Sequence, residues 1–363
     1  MVDAVHAQLT ALGWNDYFDE QLRQSDRALA AALLANGSDI NAETESAHRF
    51  ETKGQSTNDQ QLSRVVGVER TGLQIAPGLT SGVDRVPVAG RWFLGAEESR
   101  PTIGDWVICR KDNGAEIQIL PRKSLIKRLS PAGTVQLIAA NVDVAFIVTS
   151  CNSDFSAARL ERYLSVVMEA GIDPVLVLTK ADLSTDQKTY ADELARQFPN
   201  IAAHLLNALD ANSVGALLPW CGSGQTIALL GSSGVGKSTL VNTLLGRQVQ
   251  PTQAVRDEDD KGRHTTTSRS LHKLPSGGVI LDSPGMRELQ IAAAEEGLEQ
   301  LFADIEELAS LCKFNDCAHK QEPGCRVQAA IENGQLDPHR LARFQNLRLE
   351  DQTNRASVAQ RHE

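Results

Sequence analysis

The chain has 363 residues, 41% of them hydrophobic and 23% charged, and a formal net charge of -10. This is the composition of a folded protein with two or three cores, and it excludes fibrous, disordered and membrane-spanning classes. No apolar run approaches eighteen residues, and "MVDAVHAQLTALGWNDYFDE" has neither a basic leader nor a long apolar middle, so a cytoplasmic protein with no membrane partner is expected.

Residues 1–60 begin with helix-compatible pieces and continue into "SDINAETESAHRFETKGQSTNDQQ", polar and without periodicity. With ten Asp/Glu against four Lys/Arg in residues 1–59, this part is read as an acidic N-terminal extension and connector. From 61 to 130, the short β-rich runs "SRVVGVER", "GLQIA", "RVPVAGRWF", "DWVICRK" and "AEIQILP" are separated by Gly, Pro, Asp or Asn, which predicts a small all-β barrel. Residues 60–130 carry eleven Lys/Arg against seven Asp/Glu. Arg64, Arg85, Arg91, Arg100, Arg110, Lys111 and Arg122 are therefore candidates for following an RNA backbone, the alternative being a passive β-domain.

The grammar changes in residues 131–292. "VDVAFIVTS", "PVLVLTK", "AHLLNA", "TIALLG" and "GGVILDSPG" are continuous apolar strands, mostly separated by helix-length segments, as in a mostly parallel sheet covered on both faces. Residues 293–363 read as helices around a cysteine cluster.

The fourth of these strands runs into Gly231-Ser232-Ser233-Gly234-Val235-Gly236-Lys237-Ser238, followed by Thr239, which fits G-x-x-x-x-G-K-[ST] between a strand and a helix. Such a loop turns backbone N–H groups onto phosphates. Lys237 would reach the β/γ oxygens and the Ser238 hydroxyl would ligate Mg²⁺. Asp282-Ser283-Pro284-Gly285 ends the fifth strand 45 residues beyond Lys237, where Asp282 suits the metal side and the Gly285 N–H a γ-phosphate. Upstream, Thr179-Lys180-Ala181-Asp182 is close to the Asn-Lys-x-Asp by which GTPases read guanine: the carboxylate accepts from N1–H and the exocyclic amine, and the Lys stem lies along the base. The motifs thus run base reader, phosphate loop, metal-side Asp, a circular permutation of the familiar order.

Cys312, Cys317, His319 and Cys325 lie within fourteen residues, and three thiolates with one imidazole form a closed tetrahedral shell suited to structural zinc. A disulfide or plain core cysteines are the alternatives. Cys109, Cys151 and Cys221 are scattered in apolar surroundings.

The permuted motif order, with "GRWFLGAEESRPTIGDWV" ahead of it and "KGRHTTTSRSLHKLP" between the two phosphate motifs, resembles the ribosome-small-subunit-dependent GTPase A (RsgA) family over about residues 62–345. The resemblance implies a multidomain α/β protein: an N-terminal OB-fold barrel, a circularly permuted P-loop GTPase domain and a C-terminal helical zinc-binding domain. It implies GTP hydrolysis, slow alone and stimulated by the small ribosomal subunit, whose late maturation it assists. Partners would be that subunit with its rRNA, and GTP/GDP; one structural Zn²⁺, Mg²⁺ with GTP and a monomeric state are expected. The family's zinc knuckle matches the cysteine spacing. By the same resemblance Thr266 is the second Mg²⁺ ligand, and Asn207-Ala208 the last guanine-side loop.

Two departures stand out: Thr179 replaces the usual Asn, weakening the expected link between base loop and phosphate loop, and the acidic N-terminal extension lies outside the family's common core. Met286 occupies the position where many GTPases carry a water-orienting Gln, and its thioether can neither orient nor deprotonate water. His264 is then the nearest candidate for the missing polar group. The competing functions are a P-loop hydrolase or phosphotransferase acting on a small molecule, and a nucleotide-dependent binding protein in which hydrolysis is incidental.

Overall fold

The computed structural model describes residues 7, 9–25, 60–69, 72–77, 83–87, 90–93, 96–110, 118–130, 134–248, 270–282 and 294–359. Every β-rich run of the first region contains a strand: β1 (Gln60–Val68), β2 (Gly72–Ala76), β3 (Asp84–Pro87), β4 (Trp106–Arg110) and β5 (Gln118–Ile119). They form a five-stranded antiparallel sheet in the order β3-β2-β1-β4-β5. Period-two alternation gives it two apolar faces. Along β4, Trp106 and Ile108 join Leu62, Ala76 and Leu120 on one side. Val107 and Cys109 join Val65, Leu73, Ile75 and Val86 on the other.

The first of these faces is covered by the chain's own N-terminal segment. Leu9, Leu12, Trp14 and Phe18 are all buried against it, and the Trp14 ring meets Trp106 edge-on at a centroid distance of 4.8 Å. The indole N–H of Trp14 donates to Asp19 Oδ1 at 2.8 Å, so burying the ring leaves no orphaned donor. The helix α1 (Asp16–Ser25) follows, with Asp16 and Asp19 in its first turn where the helix dipole favours acid. The acidic extension is therefore core at its front. The connector residues 26–59 lie outside the described residues.

The candidate RNA-facing cations also need correction. Arg64 is fully buried: it donates through Nε to Gly104 O at 3.2 Å, through Nη1 to Leu12 O and to Thr226 Oγ1 at 3.0 Å, and through Nη2 to Asn141 O at 3.2 Å. A side chain with its donors spent on internal acceptors cannot meet RNA. Arg122 is committed too, bidentate to Asp105 at 2.7 and 2.8 Å and bonded to Glu98 O and Arg100 O. Arg85 is exposed, beside Glu69 at 3.2 Å. The Arg91 side chain and Lys111 lie outside the described residues.

An antiparallel hairpin that the sequence did not announce, β6 (Leu125–Leu129) with β7 (Val135–Ala140), leads into the second sheet. There β8 (Val144–Ser150), β9 (Asp173–Thr179), β10 (Ala202–Leu205), β11 (Thr226–Leu230), β12 (Ser270–Lys273) and β13 (Val279–Asp282) take the order β10-β9-β8-β11-β13-β12. All five apolar runs run parallel, and β12 pairs antiparallel with β13 at the edge. On one face lies the cluster of Val144, Phe146, Val148, Ile227, Leu229 and the phosphate-loop helix. The other face is covered by α2 (Ala157–Glu169), and between the strands run α3 (Gln187–Gln197), the single turn α4 (Ala211–Val214) and α5 (Lys237–Leu245).

The C-terminal helices α6 (Glu295–Leu301), α7 (Ala303–Ser310), α8 (Arg326–Glu332) and α9 (Pro338–Ala359) share the α2-side core rather than owning a separate one: Leu298, Phe302, Val327, Leu341 and Phe344 cluster with Leu160, Leu164 and Val167. Gly297 allows the closest approach, since a Cβ there would stand 2.0 Å from Ser165 O on α2. Glu161 on α2, fully buried, is held by Arg343 Nε at 2.6 Å and Arg340 Nη1 at 3.5 Å; burial pushes its carboxyl up, against the pull of both guanidiniums.

Removing the Trp14 ring should open a cavity under the first sheet. Trp14→Ala is expected to cost about 3–5 kcal/mol, read as a lower urea midpoint at unchanged slope; a midpoint equal to wild type would show that the N-terminal segment does not hold that face.

Candidate nucleotide site and metal centre

The phosphate loop leaves β11 at the carboxyl ends of the parallel strands, where open α/β sheets bind ligands. Gly231 has φ 142°, and a Cβ there would lie 2.1 Å from Val148 O, so only glycine lets the chain turn past β8. Val235 is buried in the adjoining core and pins the far side of the loop. Gly236 caps α5, which begins at Lys237 and carries Ser238 and Thr239 in its first turn. Lys237 Nζ donates to Gly231 O at 2.7 Å and to Ser232 O, folding the side chain back onto the start of the loop. Ser233 and Gly234 are exposed at its tip.

The Thr179–Asp182 turn, the candidate base reader, bonds directly to the candidate phosphate loop. Thr179, fully buried at the end of β9, donates its hydroxyl to Val235 O at 2.5 Å and lies 3.1 Å from Thr149 O. Thr179 therefore still makes the link between the two loops, with one hydroxyl proton placed between two carbonyls where Asn would bring two amide protons. Lys180 is left-handed at φ 59° and its Nζ donates to Gly234 O at 2.9 Å. Ala181 is buried, with its N–H on Leu206 O, and Asp182 stands exposed in the 3-10 turn that follows. Asp182 also borders Cys151, whose thiol is pushed up to about 11 by burial first and by that carboxylate second.

Asn207 and Ala208 follow Leu206, whose carbonyl accepts from the Ala181 N–H. The Asn207 N–H donates to Ser213 Oγ and Ala208 O accepts from Thr243 on the phosphate-loop helix at 2.6 Å. Asp282 ends β13 beside β11, with its backbone described and its side chain outside the described residues. His264, Thr266, Gly285 and Met286 lie outside the described residues.

Cys312, Cys317, His319 and Cys325 offer one ligand atom each, all within 4.8 Å of one another. A tetrahedral zinc with bonds of about 2.3 Å to sulfur and 2.0–2.1 Å to nitrogen sets S···S near about 3.8 Å and S···N near about 3.6 Å. The measured edges are 3.9 Å for Cys312–Cys325, 3.7 Å for Cys312–His319 and 3.5 Å for Cys325–His319, so the cluster fits a metal such as zinc. Backbone N–H groups of Arg326 and Gln328 point at the Cys312 and Cys325 sulfurs at 3.3 and 3.4 Å, which favours thiolates. Glu322 braces the loop around His319 by accepting from the N–H groups of Ala318, Lys320 and Gln321. Cys109, Cys151 and Cys221 are buried and free.

Two contacts to the phosphate loop and its strand escaped sequence reasoning. Arg159, in the first turn of α2, bonds to Ser232 Oγ at 2.8 Å, and Arg64 bonds to Thr226, the first residue of the phosphate-loop strand. Neither lies in a motif, so spacing gave no signal. The Thr179 contact generates a test: Thr179→Val keeps the shape and leaves Val235 O unpaired, which should weaken GTP and GDP binding about five- to tenfold, while Thr179→Asn retains wild-type affinity. Titration with a fluorescent guanine nucleotide checks both.

The RsgA GTPase family model matches residues 119–292. Small ribosomal subunit biogenesis GTPase RsgA of Mesorhizobium japonicum is 44% identical over 361 residues, 98% of this chain and 94% of its own. RsgA 2 of Vibrio parahaemolyticus is 47% identical over 303 residues, 82% of each chain. The Mesorhizobium alignment takes in the N-terminal segment, so this extension is not peculiar to the present chain. Among solved structures, YjeQ from Thermotoga maritima superposes with a TM-score of 0.59 at 23% identity, over 80% of this chain and 98% of that one. YloQ, a circularly permuted GTPase, gives 0.55 at 23% identity over 85% and 98%. These two similarities concern the fold. With identity above 40% across almost its whole length, the chain belongs to the RsgA GTPase family and is a GTP-hydrolysing enzyme.

Proposed function

We propose that this GTPase binds the small ribosomal subunit through its rRNA, assists the subunit's late maturation and is stimulated by it. The observation that carries the nucleotide half of this reading is the direct bonding of base loop to phosphate loop, Thr179 to Val235 and Lys180 to Gly234. The ribosomal half rests on relatives named small ribosomal subunit biogenesis GTPases.

In this reading the Asp182 carboxylate accepts from guanine N1–H and the exocyclic amine, with Lys180 along the base and Asn207-Ala208 closing the pocket. Residues 231–239 cradle the phosphates and Lys237 neutralises the β/γ oxygens. Mg²⁺, held by Ser238 and Thr266 with Asp282 on its side of the site, would offset the phosphate charge. The Gly285 N–H meets the γ-phosphate. His264 orients the attacking water, because Met286 cannot.

The antiparallel sheet forms the core of an OB-fold barrel over residues 61–130 that follows rRNA, with the permuted GTPase domain over 131–292 and a zinc-bearing helical unit over 293–363. One structural zinc sits on Cys312, Cys317, His319 and Cys325. The protein works as a cytoplasmic monomer; no helix among the described residues is long and apolar enough to cross a membrane.

Turnover with and without purified small subunits tests the reading. Subunits should raise it by at least about an order of magnitude; no rise, together with no cosedimentation in a non-hydrolysable GTP analogue, would overturn the ribosomal role. His264→Ala should remove most of the rise and leave GTP affinity nearly unchanged, whereas Lys237→Ala abolishes both. GTP should bind more than about tenfold better than ATP, and Asp182→Asn should turn that preference toward xanthine nucleotides. Metal analysis should give about one zinc per chain, lost in Cys317→Ser together with the fold of the C-terminal helices.

A further inference from the structure

Among the described residues, side chains of Thr179, Lys180 and Arg159 reach the phosphate loop from outside it. Two of them, Thr179 and Lys180, belong to the base-reading motif. The third is Arg159, whose Nη1 donates to Ser232 Oγ at 2.8 Å, to Asp154 Oδ1 at 2.6 Å and to Asp154 O at 3.2 Å. We propose that Arg159 is a positioning residue for nucleotide binding, acting through the Ser232 hydroxyl to hold the entry of the phosphate loop. This rests on reading residues 231–238 as the phosphate site.

The guanidinium is itself braced. Asp154 is anchored to the end of β8: its N–H donates to Asn152 Oδ1 at 2.9 Å, and that oxygen also accepts from Ser150 Oγ at 2.8 Å. Ser156 caps α2 by accepting from the Arg159 N–H, so the backbone carrying the guanidinium is fixed as well. An exposed Arg–Asp pair contributes little by itself. Here it keeps a planar donor group in place for a hydrogen bond to residue 232, and pre-organisation of that kind is what a binding loop gains from its support.

Residue 232 is held from two sides, by Arg159 at its hydroxyl and by Lys237 at its carbonyl. The two holds differ in what a nucleotide does to them. Lys237 must exchange its bonds to Gly231 O and Ser232 O for phosphate oxygens, while Arg159, bonded to a side chain, has no such exchange to make. With Lys237 withdrawn, Arg159 is the side chain among the described residues that still fixes Ser232. The loaded state therefore depends on Arg159 more than the empty one does, and its loss appears as weaker binding rather than as lost stability. Since Ser232 accepts from Arg159, its own hydroxyl proton stays available for donation.

The test is a double-mutant cycle on the full-length protein, with fluorescent GDP and GTP titrated and the melting temperature recorded alongside. Arg159→Ala is expected to weaken both nucleotides about tenfold, with the GTP-over-ATP ratio unchanged because the base contacts are intact. Ser232→Ala should show the same loss, the double variant no further loss, and Arg159→Lys a partial recovery. Wild-type affinity in Ser232→Ala, or losses that multiply in the double variant, would overturn the proposal. Should Arg159→Ala lower the melting temperature, Ser232→Ala and Arg159→Lys decide the matter alone. A wild-type protein that bound no guanine nucleotide would instead overturn the phosphate-site reading, and the proposal with it.

Discussion

The placement of the two sheets relative to each other depends on one buried cation. Taking a guanidinium out of water is costly unless each donor finds an acceptor, and Arg64 finds acceptors on four separate stretches: Leu12, Gly104, Asn141 and Thr226. Burial brings its pKa down to about 10, with Asp143 and Asp105 opposing the drop, so the group remains charged at neutral pH. Its carbon lies 5.3 Å from the Trp106 ring centroid. Sliding the antiparallel sheet away from β11, or withdrawing the N-terminal segment, would strand a charge with part of its shell missing. Asp143 reinforces the same joint, accepting from the Thr226 N–H at 2.8 Å and from Lys123 at 2.7 Å.

Within the second sheet the order of motifs along the chain is immaterial, because the site is assembled by strand neighbours. β9, β8, β11 and β13 lie side by side and parallel, so their carboxyl ends converge wherever the polypeptide was cut and rejoined. The cross-link between base and phosphate loops uses the chemistry available at each position. Asn would bring two amide protons, whereas Thr179 brings one, and its methyl helps fill the buried end of β9.

How much of this was legible in the sequence follows from whether the signal was local. The 231–238 loop, the Thr179–Asp182 turn and the Cys/His cluster are short contiguous patterns, each confined to one strand end or one turn, so local spacing was enough to single them out. The parallel strands were equally readable, since burial on both faces leaves uninterrupted apolar runs. The N-terminal segment was misread because its acidic residues set the composition, while Leu9, Leu12, Trp14 and Phe18 are too few and too irregular to announce a core face. Arg64 carried no mark distinguishing it from Arg85: a basic residue in a basic segment looks solvent-facing until the acceptors, up to 162 positions away, are brought to it. The β6–β7 hairpin fell where one grammar gave way to another, and a short mixed run there fits either.

Helix α2 meets different neighbours along its length. Its first turn carries Arg159 against the phosphate loop. Two residues on, Glu161 grips Arg340 and Arg343, Arg162 meets Glu350 at 2.5 Å, and at the last turn Glu169 accepts from the Gly297 N–H at 3.0 Å. Thirteen residues of α-helix make a rod about 20 Å long, stiff over that span because its backbone bonds are internal. The 231–238 loop and the helices that flank the Cys/His cluster are thus fastened to a single strut. Because that strut is one continuous helix, a shift of the C-terminal helices that carried it along would move the Arg159 end as well.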